Sequence, residues 1–190
     1  MNFLFGSRIH ISRTLARSAK PYQKTGASPA LLVVGDSTGV GVGALQSEDS
    51  VAALLASYLN IGSVENYSIS GAQIKDMEAQ FAKGTCERYA AILFQVGAND
   101  IIRFHSSRKV AMALKPTLIK AKEKSDLVIH MSAGNVGGAI LFPKILRPFY
   151  HALTLRYHKA FTNLAKEIGI IYLNLYTPPE NDPFIKEPEE

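Results

Sequence analysis

The stretch LLVVGDSTGVGVGA, residues 31–44, decides the reading of this chain. Leu31, Leu32, Val33 and Val34 make an apolar run too short for a helix. Gly35 ends it, so the run has the pattern of a strand buried on both faces. Asp36, Ser37 and Thr38 follow, and then glycines at 39, 41 and 43. A sharp turn there would hold a small hydroxyl at the C-terminal end of the strand. In open α/β sheets that edge is where ligands bind. Ser37 is therefore the first candidate nucleophile.

Outward from this stretch the chain alternates between short apolar runs and helical patterns. Strands are expected at 30–34, 63–68, 89–96, 127–131 and 170–174. A helix over 51–59, capped by Asp49 or Ser50, would turn Val51, Leu54, Leu55 and Tyr58 to one face. A second, over 73–82, spaces Ile74, Met77 and Phe81 for burial. A third covers 107–124, with Pro116 expected to kink or split it. A long fourth covers 145–168 and is stopped by Gly169. Apolar strands alternating with helices imply a five-stranded parallel sheet covered on both sides, a three-layer α/β/α domain.

Three of the strand ends carry small or polar residues: Ser37, Gly71 and Asn99. In a parallel sheet all three lie along one edge, the layout that acyl transfer requires. A hydroxyl attacks a carbonyl, and N–H groups aimed at the developing oxyanion stabilise it. The backbone N–H groups of Ser37 and Gly71 and the Asn99 side-chain amide suit that role. Asp36 is expected to bond within the turn and fix Ser37, and Asp100 to cap the turn after Asn99. Ile101, Ile102, Phe104 and residues 139–142 are candidate walls of an acyl pocket, with Phe142 the best placed as a mobile wall and a core role open for Ile101 and Ile102.

Gly35-Asp36-Ser37, the run Asn66-Tyr67-Ser68-Ile69-Ser70-Gly71 and Gly97-Ala98-Asn99-Asp100 resemble, in order and spacing, the first three sequence blocks of the SGNH (GDSL) hydrolases. The resemblance covers residues 30–180. It implies a flavodoxin-like fold that hydrolyses esters, thioesters or acetyl groups on lipids and carbohydrates without metal or cofactor. It makes Ser37 the catalytic nucleophile and an oxyanion donor, with Gly71 and Asn99 as the other donors. The family's last block, an Asp followed three residues later by a His, has no counterpart. After the fifth strand the only Asp is Asp182, and three residues on stands Ile185. The expectation is thus an ester hydrolase impaired by the lack of its base, and a shortened enzyme is preferred. The alternative is a non-catalytic acyl- or glycan-binding protein.

The same residues allow other readings. His130, near the end of the fourth strand, is a candidate base but fits a core histidine better. His151 and His158, beside Tyr150 and Tyr157 on one helix, read as a packed stripe, and His10 and His105 lack context. A nucleotide-binding reading of the glycine run lacks both the G-x-G-x-x-G spacing and a P-loop lysine, with only Glu65 as a ribose-binding acid. Cys86, the single cysteine, reads as a small residue in a connection, and one cysteine allows no internal disulfide.

The net charge of +5 comes from one end. Residues 1–35 hold Arg8, Arg13, Arg17, Lys20 and Lys24 and no acid, so the remainder balances. That balance argues against a nucleic-acid partner. Residues 1–29 read as a basic arm and linker, a candidate for contact with an anionic membrane surface, and 30–190 as the hydrolase-like domain. No apolar run is long enough to span a bilayer and no secretory pattern opens the chain, so a cytoplasmic location is expected. The partner expected is a small ester or acylated substrate.

Overall fold

The computed structural model describes residues 18–139, 143–178 and 180–181. Five strands form one parallel sheet: β1 (Ala30–Gly35), β2 (Ser63–Asn66), β3 (Ala91–Gln95), β4 (Val128–Met131) and β5 (Ile171–Leu173). Their order is β2-β1-β3-β4-β5. Helices α1 (Ser37–Val40), α2 (Val51–Tyr58), α3 (Met77–Phe81), α4 (Ala98–Ile102), α5 (Ser107–Lys124) and α6 (Arg147–Ile168) connect them. The strand order reverses between β1 and β3, so the turns leaving those two strands diverge and open a crevice.

Side chains of β1 alternate between two cores. Leu32 and Val34 join Ile92, Phe94, Met77, Leu114, Leu118 and Phe161 on one side. Leu31 and Val33 meet Leu93, Ala52, Ala56 and Ile61 on the other. All four β1 side chains are fully buried, which stabilises the fold by about 1.5–3 kcal/mol for each. This is the three-layer arrangement the alternating pattern implies.

Three expectations need correction. Helix α2 is capped by Ser50, whose hydroxyl accepts from the Ala53 N–H, but it turns its other face inward. Ala52, Ala53 and Ala56 are buried, while Val51, Leu54 and Tyr58 are exposed. Alanines at that spacing let the helix lie close against the sheet, and larger side chains there would hold it away. Pro116 does not split α5, which runs unbroken through it. The proline sits on the exposed side, where water can satisfy the carbonyl it leaves unbonded. Asp100 does not cap the turn after Asn99; its partners lie elsewhere, as described below.

Gly169 ends α6 in the left-handed conformation, φ +69°, with its N–H on the Ala165 carbonyl. At the opposite edge, Lys24 exchanges backbone hydrogen bonds with Val64, and Gln23 bonds the backbone of Asn66. Residues 22–24 thereby cover the open side of β2. Residues 1–17, and with them most of the basic arm, lie outside the described residues, as do Ile140, Leu141, Phe142 and Asp182.

Candidate active site

The turn after β1 is built from buried hydrogen bonds. The Gln80 side chain accepts from the Gly35 N–H at 2.7 Å and donates to its carbonyl at 3.0 Å. A Cβ on Gly35 would stand 2.3 Å from the Gln95 carbonyl oxygen, so no other residue fits where β1 meets β3. The Asp36 N–H donates to that same oxygen at 2.9 Å. Asp36 then caps α1. Its Oδ1 accepts from the Thr38 N–H and hydroxyl, each at 2.9 Å. Burial pushes the Asp36 carboxyl above its ordinary value, and the Thr38 bonds and a backbone bond from Gly97 pull against that. Ser37, the first residue of α1, is half-buried behind this cap. The expected role of Asp36 as the fixing residue of the turn is therefore met.

The second strand end is tied to the first. The Asn66 side chain donates to the Gly39 carbonyl at 2.8 Å and accepts from the Ser68 N–H at 3.0 Å. The Ile69 N–H reaches back to the Gly35 carbonyl. Gly71 follows, exposed, at φ +85°, a conformation that glycine adopts without strain. A Cβ there would meet nothing within 4 Å, so the backbone at this position faces open space.

The third strand end closes onto the second. Asn99 lies in the first turn of α4 and donates one amide hydrogen to the Ala72 carbonyl at 3.0 Å. Its oxygen accepts from Arg103 at 3.3 Å. The second amide hydrogen is left for another acceptor. Asp100 is buried beneath, with Oδ2 on the Ile74 N–H and Oδ1 on the His105 ring, both at 3.0 Å. It thus joins the start of the segment carrying Ile74 to the end of α4. The parallel strand ends bring Ser37, Gly71 and Asn99 to one edge, and the bonds through Asn66 and Asn99 link their turns in series.

The described histidines are His105, His130, His151 and His158. Among the described residues, none is hydrogen-bonded to the Ser37 hydroxyl. His130 is buried on β4, one residue before the strand's last position. Its Nε2 contacts the Val96 carbonyl at 3.2 Å and its ring meets Phe161 edge-on. Burial lowers its pKa to about 4, the behaviour of a core histidine and not of a base. His158 is similarly lowered by burial to about 4 and bonds the Tyr172 hydroxyl. His151 contacts the Tyr176 hydroxyl at 2.8 Å, completing the packed stripe expected on this helix. His105 gains a context that spacing did not disclose. Phe104, at φ +59°, folds it back onto Asp100 five residues earlier.

Glu65 is not free to bind a ribose. Its carboxylate takes bonds from the Thr85 N–H and the Tyr89 hydroxyl and sits near Cys86 Sγ. Both Glu65 and Cys86 therefore brace one connection. Ile101 is fully buried and Ile102 packs against the same core, so neither forms a pocket wall. No set of three or more candidate metal-ligating side chains converges among the described residues.

A parallel sheet in this order, covered by helices on both faces, defines a flavodoxin-like α/β domain. The chain belongs to the GDSL-like lipase/acylhydrolase family, which it matches over residues 33–189. Similar solved structures include TesA, 23% identical over 75% of this chain and 76% of that one, with a TM-score of 0.56. Axe2, an acetylxylan esterase from Geobacillus stearothermophilus, is 18% identical over 80% and 78%, with a TM-score of 0.55. A member of the lipolytic G-D-S-L family from Veillonella parvula is 17% identical over 77% and 78%, with a TM-score of 0.61. No curated protein sequence matches significantly.

Proposed function

We propose that this chain acts on carboxylic esters through Ser37. The hydroxyl gives its proton to solvent water as Oγ bonds the ester carbonyl carbon. The carbonyl oxygen becomes an oxyanion held by the Ser37 and Gly71 N–H groups and the free Asn99 amide hydrogen. Collapse expels the alkoxide, which takes up a proton, and water then releases the acyl group from Ser37. The observation that supports this reading most is the Asn99–Ala72 bond, which sets a side-chain donor beside the open Gly71 backbone.

Proton removal is the weak step. None of the described histidines is bonded to Ser37, and the loss of a triad's base costs about a millionfold in turnover. We therefore assign the chain slow hydrolysis carried mainly by the oxyanion donors. The same observation supports a second reading, an acyl- or glycan-binding protein that holds its ligand without turnover. Acetylated sugars are reasonable first substrates, given that Axe2 is an acetylxylan esterase.

The test is hydrolysis of a short p-nitrophenyl ester and an acetylated xylose. Slow turnover that Asn99→Ala reduces at least tenfold supports the hydrolase, one oxyanion donor being worth about 10²–10³-fold in a complete enzyme. Turnover equal to buffer, with saturable binding of the acetylated sugar, supports the binding protein. A rate unchanged by Asn99→Ala removes Asn99 from the site.

A further inference from the structure

Charge that balances in the sequence is segregated in the fold. Helices α5 and α6 pack side by side over the larger core. Together they carry ten lysines and arginines against two acids, Glu123 and Glu167. A groove of about 540 Å³ runs between them, with Arg108, Lys115, Arg156 and Lys159 along it. Lys115 pairs with Glu167, and the other three form no salt bridge among the described residues. Arg108, Arg156 and Lys159 are all exposed.

Large apolar side chains stand exposed among these cations. Met112, in the groove wall, is 63% exposed, and Leu155 beside Arg156 is 43% exposed. Phe149 lies two helical turns before Arg156 and so on the same face. It is 51% exposed, and its ring sits 5.5 Å from that of Phe104, itself 56% exposed. Apolar side chains interleaved with unpaired cations on one helical face are the pattern of a surface that lies on an anionic bilayer. The lysines and arginines meet lipid headgroups while the apolar side chains enter the acyl boundary.

We propose that the α5–α6 face docks onto membranes bearing anionic phospholipid. Charge complementarity selects the partner, and the exposed Phe, Met and Leu side chains favour lipid over nucleic acid. Phe104 closely follows α4, the helix that carries Asn99. Docking therefore sets the edge bearing Ser37, Gly71 and Asn99 beside the headgroups, where acyl esters are concentrated. That consequence rests on the hydrolase reading; the docking itself does not.

Sedimentation of the full chain with vesicles tests it. Phosphatidylcholine vesicles containing about one third phosphatidylglycerol should bind the chain, and pure phosphatidylcholine should not. Binding should weaken as salt is raised through about 0.1 M, where charges more than ~10 Å apart are screened. The triple reversal Arg108→Glu, Arg156→Glu, Lys159→Glu should lower the affinity at least tenfold. It should leave hydrolysis of a soluble ester unchanged, so failure of docking and failure of the hydrolase reading are separable. Phe149→Ser, which alters no charge, should also weaken binding. Vesicle binding that survives the triple reversal assigns docking to another surface, such as the basic residues 8–17, and overturns the proposal. So does absence of binding, or tighter binding of duplex DNA than of vesicles at the same salt.

Discussion

His130 and His158 occupy the larger core, where a positive charge has no solvent. Burial holds the pKa of each at about 4, against about 6.5 in an unfolded chain. As pH falls below 6.5 the unfolded state takes up these protons first. The stabilisation is therefore complete above pH 6.5 and is lost as pH falls towards 4. By pH 5 His130 alone should cost roughly 2 kcal/mol. Urea unfolding midpoints at pH 7.5 and pH 5 measure it, and equal midpoints would contradict the burial account. At this scale the sequence spoke unevenly. The placement of Ser37 and Asn99 just past β1 and β3 was legible because each follows a buried apolar run. The Gln80 clasp on Gly35 was not, because 45 residues separate the partners and only the packing of α3 beneath β1 joins them. Nor were the true partners of Asp100: Ile74 is distant in sequence, and His105 arrives only through the left-handed turn at Phe104.

Elements were legible where one face offers a single apolar stripe. Helix α5 begins and ends where its periodicity does, and Gly169 stops α6. Helix α2 offers two faces of comparable apolarity, and close packing on the sheet chose the alanines. The continuity of α5 through Pro116 has a measurable consequence. Proline removes an intrahelical bond and strains the preceding turn. Pro116→Ala should restore an N–H to the Met112 carbonyl and raise stability by about 1–3 kcal/mol. Thermal unfolding reads this as a higher midpoint. A lower midpoint would mean that the proline's fixed backbone is a net support.

The whole molecule was legible as a parallel α/β sheet because the central strands β1 and β3 are apolar on both faces and each linker is long enough for a crossover. Its surface was not. Overall charge balance conceals a cationic α5–α6 face, since composition sums over sides that only the fold separates. No helix among the described residues is long and apolar enough to cross a membrane.

The central proposal is that Ser37 is a nucleophile served by oxyanion donors, with no histidine bonded to it among the described residues. Chemical rescue tests it most directly. Hydrolysis of p-nitrophenyl butyrate is followed with rising concentrations of free imidazole, with Ser37→Ala as the background. The account predicts slow turnover in buffer and an imidazole-dependent acceleration that disappears in Ser37→Ala. Fast turnover in buffer that Ser37→Ala abolishes, or an imidazole response identical in both proteins, would contradict it.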